Sequence, residues 1–320
     1  MKTLLFYRNF TGFSGGHLKV WDYFNHTCSS TTYRPQILFS KESIWDRSNP
    51  WMGLRDQALG SWPAVRPDAL FLAGLDWNVL DVEERQHPPV PIVNLIQHVR
   101  HAQPGDPRYQ FLRHKAIRIC VSEEVKTALA ETHQVVGPLF VIPNGIDARL
   151  LPEPLDQSHK RYDVLVAAVK QPALGRQVAQ RLTKWGRRVH LLTSQLLRSE
   201  FLHQVNRARA TVFLPDPTEG FYLPALEGMA LGTVVICPDC IGNRSFCLPG
   251  DTCFRPAYDR ERIVEAAEKA LRLSESERSH MLENGFAMAK KYDLIAERTA
   301  YLRILEDLHQ LWQGGGRDDE

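Results

Sequence analysis

The chain has 320 residues, of which 43% are hydrophobic and 24% charged, a composition typical of a globular protein and not of a disordered one. Its 39 Lys and Arg nearly balance its 37 Asp and Glu, and a formal net charge of +2 gives no electrostatic sign of nucleic-acid binding. The apolar runs are shorter than the about 20 residues of a membrane span, and the N-terminal patch is too short for a secretory signal, so we expect a cytoplasmic protein.

The first half of the chain alternates predicted strands with helices and turns. Strands are predicted at residues 3–8, 34–40, 67–74, 91–98 and 116–122, and helices at 17–27 and 122–132. Most of these strands are continuous apolar runs, which is typical of a parallel sheet buried on both faces. Residues 139–147 close this half, and the proline-bearing stretch 148–161 predicts a linker.

The second half repeats this alternation. Strands are predicted at residues 162–169, 187–194, 210–215 and 233–238, and helices at 173–186, 200–208, 223–232, 259–273 and 294–312. We therefore predict an α/β protein with two doubly wound, Rossmann-like domains, 1–150 and 151–295, which face each other across a cleft. That cleft is the default ligand site. Residues 314–320 are predicted to form a disordered tail.

Two glutamates flank a short apolar segment between a predicted strand and the helix that follows it. Glu219 precedes the helix and Glu227 lies one turn inside it, while Gly220 permits a close turn and Pro224 suits a first helical turn. A helix N-terminus suits phosphate, whereas carboxylates only accept hydrogen bonds and therefore suit sugar hydroxyls. The pair indicates a nucleotide sugar, with solvated charges at a helix start as the alternative.

The stretch "PDPTEGFYLPALEGMALGTVVICPD" resembles the Glu-x7-Glu motif of retaining GT-B glycosyltransferases, the glycosyltransferase group 1 family. The stretches "ICVSEEVKTAL", "VIPNGID" and "KKYDLIAERTAYLRILEDL" are similar to further parts of that family, so the resemblance covers most of the chain. It implies a GT-B architecture with an acceptor-side first domain and a nucleotide-sugar-binding second domain. It also implies that a C-terminal helix, at about 296–313, packs back on the first domain.

The resemblance also implies roles for individual residues. Glu219 would contact the donor sugar and Glu227 the ribose hydroxyls. Lys170 and Arg176 match the cations that offset the diphosphate charge in the family, with the two residue types exchanged. His98 would contact the donor sugar, with a structural histidine as the alternative. Further donor contacts would come from the glycine loop, for which a plain turn is the alternative, and from backbone amides: Gly15, Gly16, Gly220, Phe221, Tyr222 and Leu223.

Metal signals in the sequence are weak. Four cysteines cluster, but only the first pair has the C-x-x-C spacing of zinc ligands: Cys237, Cys240, Cys247 and Cys253. Small apolar residues near a strand end are the alternative interpretation. His98 and His101 also have a spacing seen in metal sites, but the family generally works without a metal. We expect neither a metal nor a cofactor.

The sequence thus predicts a metal-independent glycosyltransferase that moves a sugar from a nucleoside diphosphate sugar to an acceptor hydroxyl, with retention of configuration. A non-catalytic sugar-nucleotide-binding partner subunit, and an epimerase or phosphorylase on the same fold, stay open. A nicotinamide dehydrogenase is disfavoured, because no G-x-G-x-x-G follows either first strand. The acceptor is a glycan, a lipid-linked or a small molecule. The basic, aromatic stretch 100–115 suits an anionic acceptor or a peripheral membrane contact, with a solvated loop as the alternative.

Overall fold

The computed structural model describes residues 1–314 and divides into two compact units. The N-terminal unit contains Met1–Asn144 together with the chain from Ile295 onwards, and the C-terminal unit contains Gly145–Leu294. The tail predicted to be disordered lies outside the described residues, except for Gly314, which ends the last helix with a left-handed φ of 85°. Each unit is built around a parallel sheet of its own.

The N-terminal unit has a six-stranded sheet in the order β2-β1-β3-β4-β5-β6. Its strands are β1 (Lys2–Arg8), β2 (Tyr33–Phe39), β3 (Ala69–Ala73), β4 (Ile92–Ile96), β5 (Ile117–Cys120) and β6 (Leu139–Val141). Its first helices are α1 (Gly15–Cys28), α2 (Val82–Gln86) and α3 (Glu123–Ala130). All strand pairs are parallel, as the unbroken apolar runs predict.

The core of this unit covers both faces of the sheet. On one face Phe6 of β1 stacks on Phe71 of β3, with ring centroids 4.5 Å apart. On the other face Trp77 and Phe111 stack over apolar strand residues at 5.8 Å. Both faces of the central strands are therefore dry, which leaves the strand ends as the places where polar side chains collect.

The C-terminal unit has a four-stranded parallel sheet in the order β10-β9-β7-β8. Its strands are β7 (Tyr162–Ala167), β8 (Val189–Leu192), β9 (Ala208–Phe213) and β10 (Val234–Ile236). Its helices are α4 (Pro172–Lys184), α5 (Arg198–Asn206), α6 (Leu223–Ala230), α7 (Arg260–Arg272) and α8 (Glu275–Lys291). The predicted fold class, α/β with two parallel sheets, is confirmed, whereas α8 is absent from the sequence prediction.

The end of the chain forms two helices where the sequence predicts one. These are α9 (Leu294–Glu306) and α10 (Leu308–Gln313), and the break falls at Asp307. Beyond Leu294 they belong to the N-terminal unit, where the hydroxyl of buried Tyr301 lies 2.9 Å from that of Thr27 on α1. None of the helices within residues 1–314 combines the length and the apolar character that crossing a membrane requires.

Candidate functional site

The strand order of the C-terminal sheet reverses between β7 and β9, and doubly wound sheets bind ligands beyond the carboxyl ends of their strands at such a point. Ala167, the last residue of β7, pairs in register with Phe213, the last residue of β9. Lys170 follows the first strand and Glu219 the second, and the Lys170 ammonium contacts the Glu219 carboxylate. The side chain of Glu219 is 15% exposed and that of Lys170 48%. A carboxylate and a cation thus meet at the switch point.

The segment between the two glutamates is buried and leads into α6. The N–H of Tyr222 donates to the carbonyl oxygen of Gly242 at 2.9 Å, so this amide already has a partner within the protein. The amide of Tyr222 is therefore not available to donate a hydrogen bond to a phosphate. The predicted set then reduces to Gly220, Phe221 and Leu223, next to the positive end of α6.

Gly242 sets the position of this segment from the opposite side. A Cβ atom at residue 242 would overlap the backbone nitrogen of Phe221 and lie 2.6 Å from the carbonyl carbon of Gly220. Contacts this short do not occur in proteins, and neither backbone partner can rotate aside. The loop before α6 therefore depends on a glycine in the turn after β10.

Replacing Gly242 with Ala is expected to move the loop before α6 and to weaken binding of the nucleotide sugar that the sequence predicts at least about tenfold, at a stability loss of about 1–3 kcal/mol. Calorimetric titration and urea unfolding measure the two effects. The control is Gly105→Ala, because a Cβ atom there meets no other atom within 4 Å. Unchanged affinity in Gly242→Ala would show that the loop and the ligand site are independent.

The second glutamate has a cation partner that sequence reasoning missed. Glu227 lies inside α6 with its side chain only 2% exposed, and its Oε1 is 2.5 Å from Nη2 of Arg198. Arg198 is the first residue of α5. Arg176, predicted to act beside Lys170, is exposed on α4. No sequence spacing predicts the contact of Arg198 with Glu227, because it joins the first residue of one helix to the interior of another.

The predicted residues of the N-terminal unit follow β1 and β4. Gly15 and Gly16 open α1, and a Cβ atom on Gly15 would meet nothing within 4 Å. Gln97 connects the two loops, because its Nε2 donates to the carbonyl oxygen of Gly16 at 3.2 Å. The next residue, His98, is half-buried, and its Nδ1 accepts the N–H of Arg100 at 3.1 Å. The structure thus brings the glycine loop close to the loop that carries His98.

Neither a protein-family model nor a curated protein matches this chain. Solved structures do match it. Sucrose-phosphate synthase from Thermosynechococcus elongatus has a TM-score of 0.74 at 12% identity, over 97% of this chain and 99% of that one. Anabaena HepE, solved in complex with UDP-glucose, has a TM-score of 0.74 at 13% identity, over 96% and 100% of the two chains. A glycosyltransferase from Rickettsia africae has a TM-score of 0.68 at 12% identity, over 97% of this chain and 99% of that one. The fold is GT-B.

A buried ionic cluster lies at the switch point of the N-terminal sheet of this GT-B fold, between β1 and β3. Arg8 ends β1, and its Nη1 donates to Asp76 at 2.6 Å while its Nη2 lies 2.8 Å from Nδ1 of His17. Burial raises the pKa of Asp76 to about 6 although Arg8 opposes this shift. Burial is the main cause that lowers the pKa of His17 to about 3, and the positive charge of Arg8 is the second cause. The sequence analysis did not predict this cluster. The one sign of it in the sequence is Arg8, an arginine at the end of an apolar strand.

The N-terminal unit is expected to lose stability as the pH falls below about 6.5. Burial lowers the pKa values of His17 and His101 to about 3, so both rings bind protons more readily in the unfolded chain. The two rings make their whole contribution to the free energy of unfolding above the ordinary histidine pKa, and this contribution is lost on acidification. Asp76 has a raised pKa, so below about pH 6 it binds a proton more readily in the folded state. Its contribution therefore opposes the loss of stability that the two histidines cause.

Urea unfolding between pH 7.5 and 4.5 measures this dependence. We expect His101→Asn to lower the slope of unfolding free energy against pH, because residue 101 then binds no proton in either state. The exposed His133 provides the control substitution. An equal slope in His101→Asn and the original protein would contradict the assignment.

The cysteines and histidines form no metal centre in the part of the chain that the structure describes, since no three His, Cys, Asp or Glu side chains there could hold one ion. The six cysteines are free thiols, and the four clustered ones are buried after β10. The side-chain amide of Asn243 donates to Sγ of Cys237 at 3.2 Å. Burial raises the pKa of the Cys240 and Cys247 thiols, which suits small packed side chains.

Proposed function

We propose that this protein is a glycosyltransferase that moves a sugar from a nucleoside diphosphate sugar to an acceptor hydroxyl. The observation that carries the proposal is the contact of Lys170 with Glu219 at the switch point of the C-terminal sheet. Support also comes from structural neighbours, because HepE was solved with UDP-glucose and another neighbour is a sucrose-phosphate synthase. A nucleotide sugar has hydroxyls for the carboxylate and phosphates for the cation, so it can use both groups together.

In this proposal the C-terminal unit binds the donor. The Glu219 carboxylate accepts hydrogen bonds from the sugar hydroxyls, and the Lys170 ammonium beside it faces the diphosphate. Arg176 is a second cation for the leaving group, and the start of α6 contributes amide N–H groups. Glu227 accepts hydrogen bonds from the ribose hydroxyls. Gly15, Gly16 and His98 keep their predicted roles as proposals for the N-terminal unit.

We further propose that the reaction retains the anomeric configuration. The bond between the anomeric carbon and the phosphate oxygen breaks, and its electron pair leaves with the diphosphate. The acceptor oxygen bonds to the anomeric carbon on the same face, and its proton passes to the departing phosphate oxygen. Negative charge grows on the diphosphate in the transition state, so Lys170 and Arg176 act most strongly there. Proton NMR of the first product anomer tests this step, and an inverted product overturns it.

A thermal-shift panel of UDP-, ADP- and GDP-sugars tests the donor assignment. At 100 times its dissociation constant a ligand stabilises the protein by about 2.7 kcal/mol, which raises the melting temperature of a chain of this length by about 4 °C. The selected donor is then incubated with sugar and lipid acceptors. Donor binding without transfer or hydrolysis favours the binding-subunit alternative, and release of an epimerised sugar favours an epimerase. If none of the donors shifts the melting temperature, the proposal is wrong.

A further inference from the structure

Arg198 and Glu227 form a charge pair that the proposed chemistry does not yet use. The Glu227 side chain is 2% exposed and the Arg198 side chain 25%, with 2.5 Å between Nη2 and Oε1. A carboxylate this deeply buried is costly unless a cation or several hydrogen bonds compensate it. Arg198 is the cation that lies against this buried carboxylate of α6.

The position of Arg198 is unfavourable for its own helix. It is the first residue of α5, whose N-cap residue, Leu197, provides no side-chain hydrogen bond. The N-terminus of a helix carries a partial positive charge, so a cation there opposes the helix dipole. Asp147 is also close enough for the charge of Arg198 to act on it, but its carboxylate is already bonded to Arg149 at 2.9 and 2.8 Å. Glu227 is thus the partner that accounts for an arginine at this position.

The pair leaves a hydrogen-bonding site unused. Glu227 Oε1 is buried and makes no hydrogen bond of acceptable geometry, although Arg198 lies close to it. A carboxylate has about four acceptor positions and no donor, so the unused positions take O–H or N–H groups of a ligand. Arg198 supplies the opposite charge but makes no hydrogen bond of acceptable geometry to Oε1.

We propose that Arg198 is a positioning residue that holds the Glu227 carboxylate ready for the ribose hydroxyls of the bound nucleotide. This inference rests on the proposed function. It adds a specificity: recognition of a ribonucleotide, as opposed to a deoxyribonucleotide, depends on a residue of α5 that itself need not touch the ribose. Sites that hydrogen-bond a hydroxyl reject an analogue that lacks it, because buried polar groups are then left unpaired.

The test compares UDP, ADP and GDP with their 2′-deoxy analogues by calorimetric titration. The original protein is expected to bind the preferred ribonucleotide at least about tenfold more tightly than its deoxy analogue. In Arg198→Gln the affinity for the ribonucleotide falls about tenfold while that for the deoxy analogue changes little, so the preference falls below about twofold. Glu227→Gln gives the same loss of preference, and the double variant loses no more than either single one.

Two further variants separate positioning from other roles. Arg198→Lys keeps the charge and is expected to keep part of the ribose preference, and it also serves if Arg198→Gln does not fold. Arg176→Gln removes a proposed phosphate contact and should weaken both nucleotides equally. If Arg198→Gln also weakens both equally, with the preference unchanged, Arg198 does not position Glu227 and the inference is wrong. If the original protein binds none of the nucleotides, both the proposed function and this inference are wrong.

Discussion

Replacing Glu219 with Gln is expected to lower kcat/KM for sugar transfer by about 100- to 1,000-fold, the loss typical of removing one transition-state contact. The amide is nearly the same size, so packing before α6 is preserved. It is a weaker acceptor for sugar hydroxyls, and it leaves the Lys170 ammonium without the carboxylate that it contacts. Initial rates with the donor that the thermal-shift panel selects measure the effect.

The control for this variant is Glu265→Gln. Glu265 belongs to the same unit, and its exposed side chain lies 3.1 Å from Arg262 on the surface of α7. Surface ion pairs contribute at most about 1 kcal/mol, so neither rate nor stability should change noticeably. Near-normal turnover in Glu219→Gln, at an unchanged melting temperature, would remove Glu219 from the mechanism. The proposed chemistry at the end of β9 would then have to be abandoned.

The alternation of apolar strands with helices was sufficient to predict both sheets, because continuous apolar runs require burial on two faces. The same reasoning missed α8. Its buried positions have the three- and four-residue spacing of a helix, but they include Arg278 and Gly285 beside Met281, so the apolar period is weak. A usable signal stood at its start, where Ser274 and Glu277 form a capping box. Local capping chemistry therefore predicts helices that hydrophobic periodicity does not.

Candidate site residues could be read from motifs, but their pairing could not. Glu219 and Glu227 are predicted as site residues because the two carboxylates flank a short apolar segment. Their cation partners, Lys170 and Arg198, reach them from other β–α loops, and only the strand order places those loops together. The Arg8–Asp76 bond, between residues 68 positions apart, has the same origin. Topology, which short-range patterns do not encode, decides which charges meet.

The largest stability effect is expected at a buried ion cluster within the N-terminal unit. The Lys19 ammonium on α1 lies 2.6 Å from Glu297 on α9 and 2.8 Å from Asp22, and the side chains of Lys19 and Glu297 are fully buried. His26 adds a contact to Glu297 at 3.1 Å. Burial alone would raise the pKa of Glu297, but Lys19 and His26 outweigh it and the net shift is downward. This contribution is present above the ordinary glutamate pKa and is lost on acidification.

Replacing Lys19 with Met is expected to lower the free energy of unfolding by about 3–5 kcal/mol, because two carboxylates then lose their cation inside the protein. Glu297→Leu should cost a similar amount. The double variant Lys19→Met with Glu297→Leu should be less destabilised than the sum, since it removes both charges and adds apolar volume. Urea unfolding of the four proteins gives the coupling energy, with the exposed Lys41→Met as control. Additive losses would mean that Lys19 and Glu297 act independently, and α9 would then be held to α1 by packing around Tyr301.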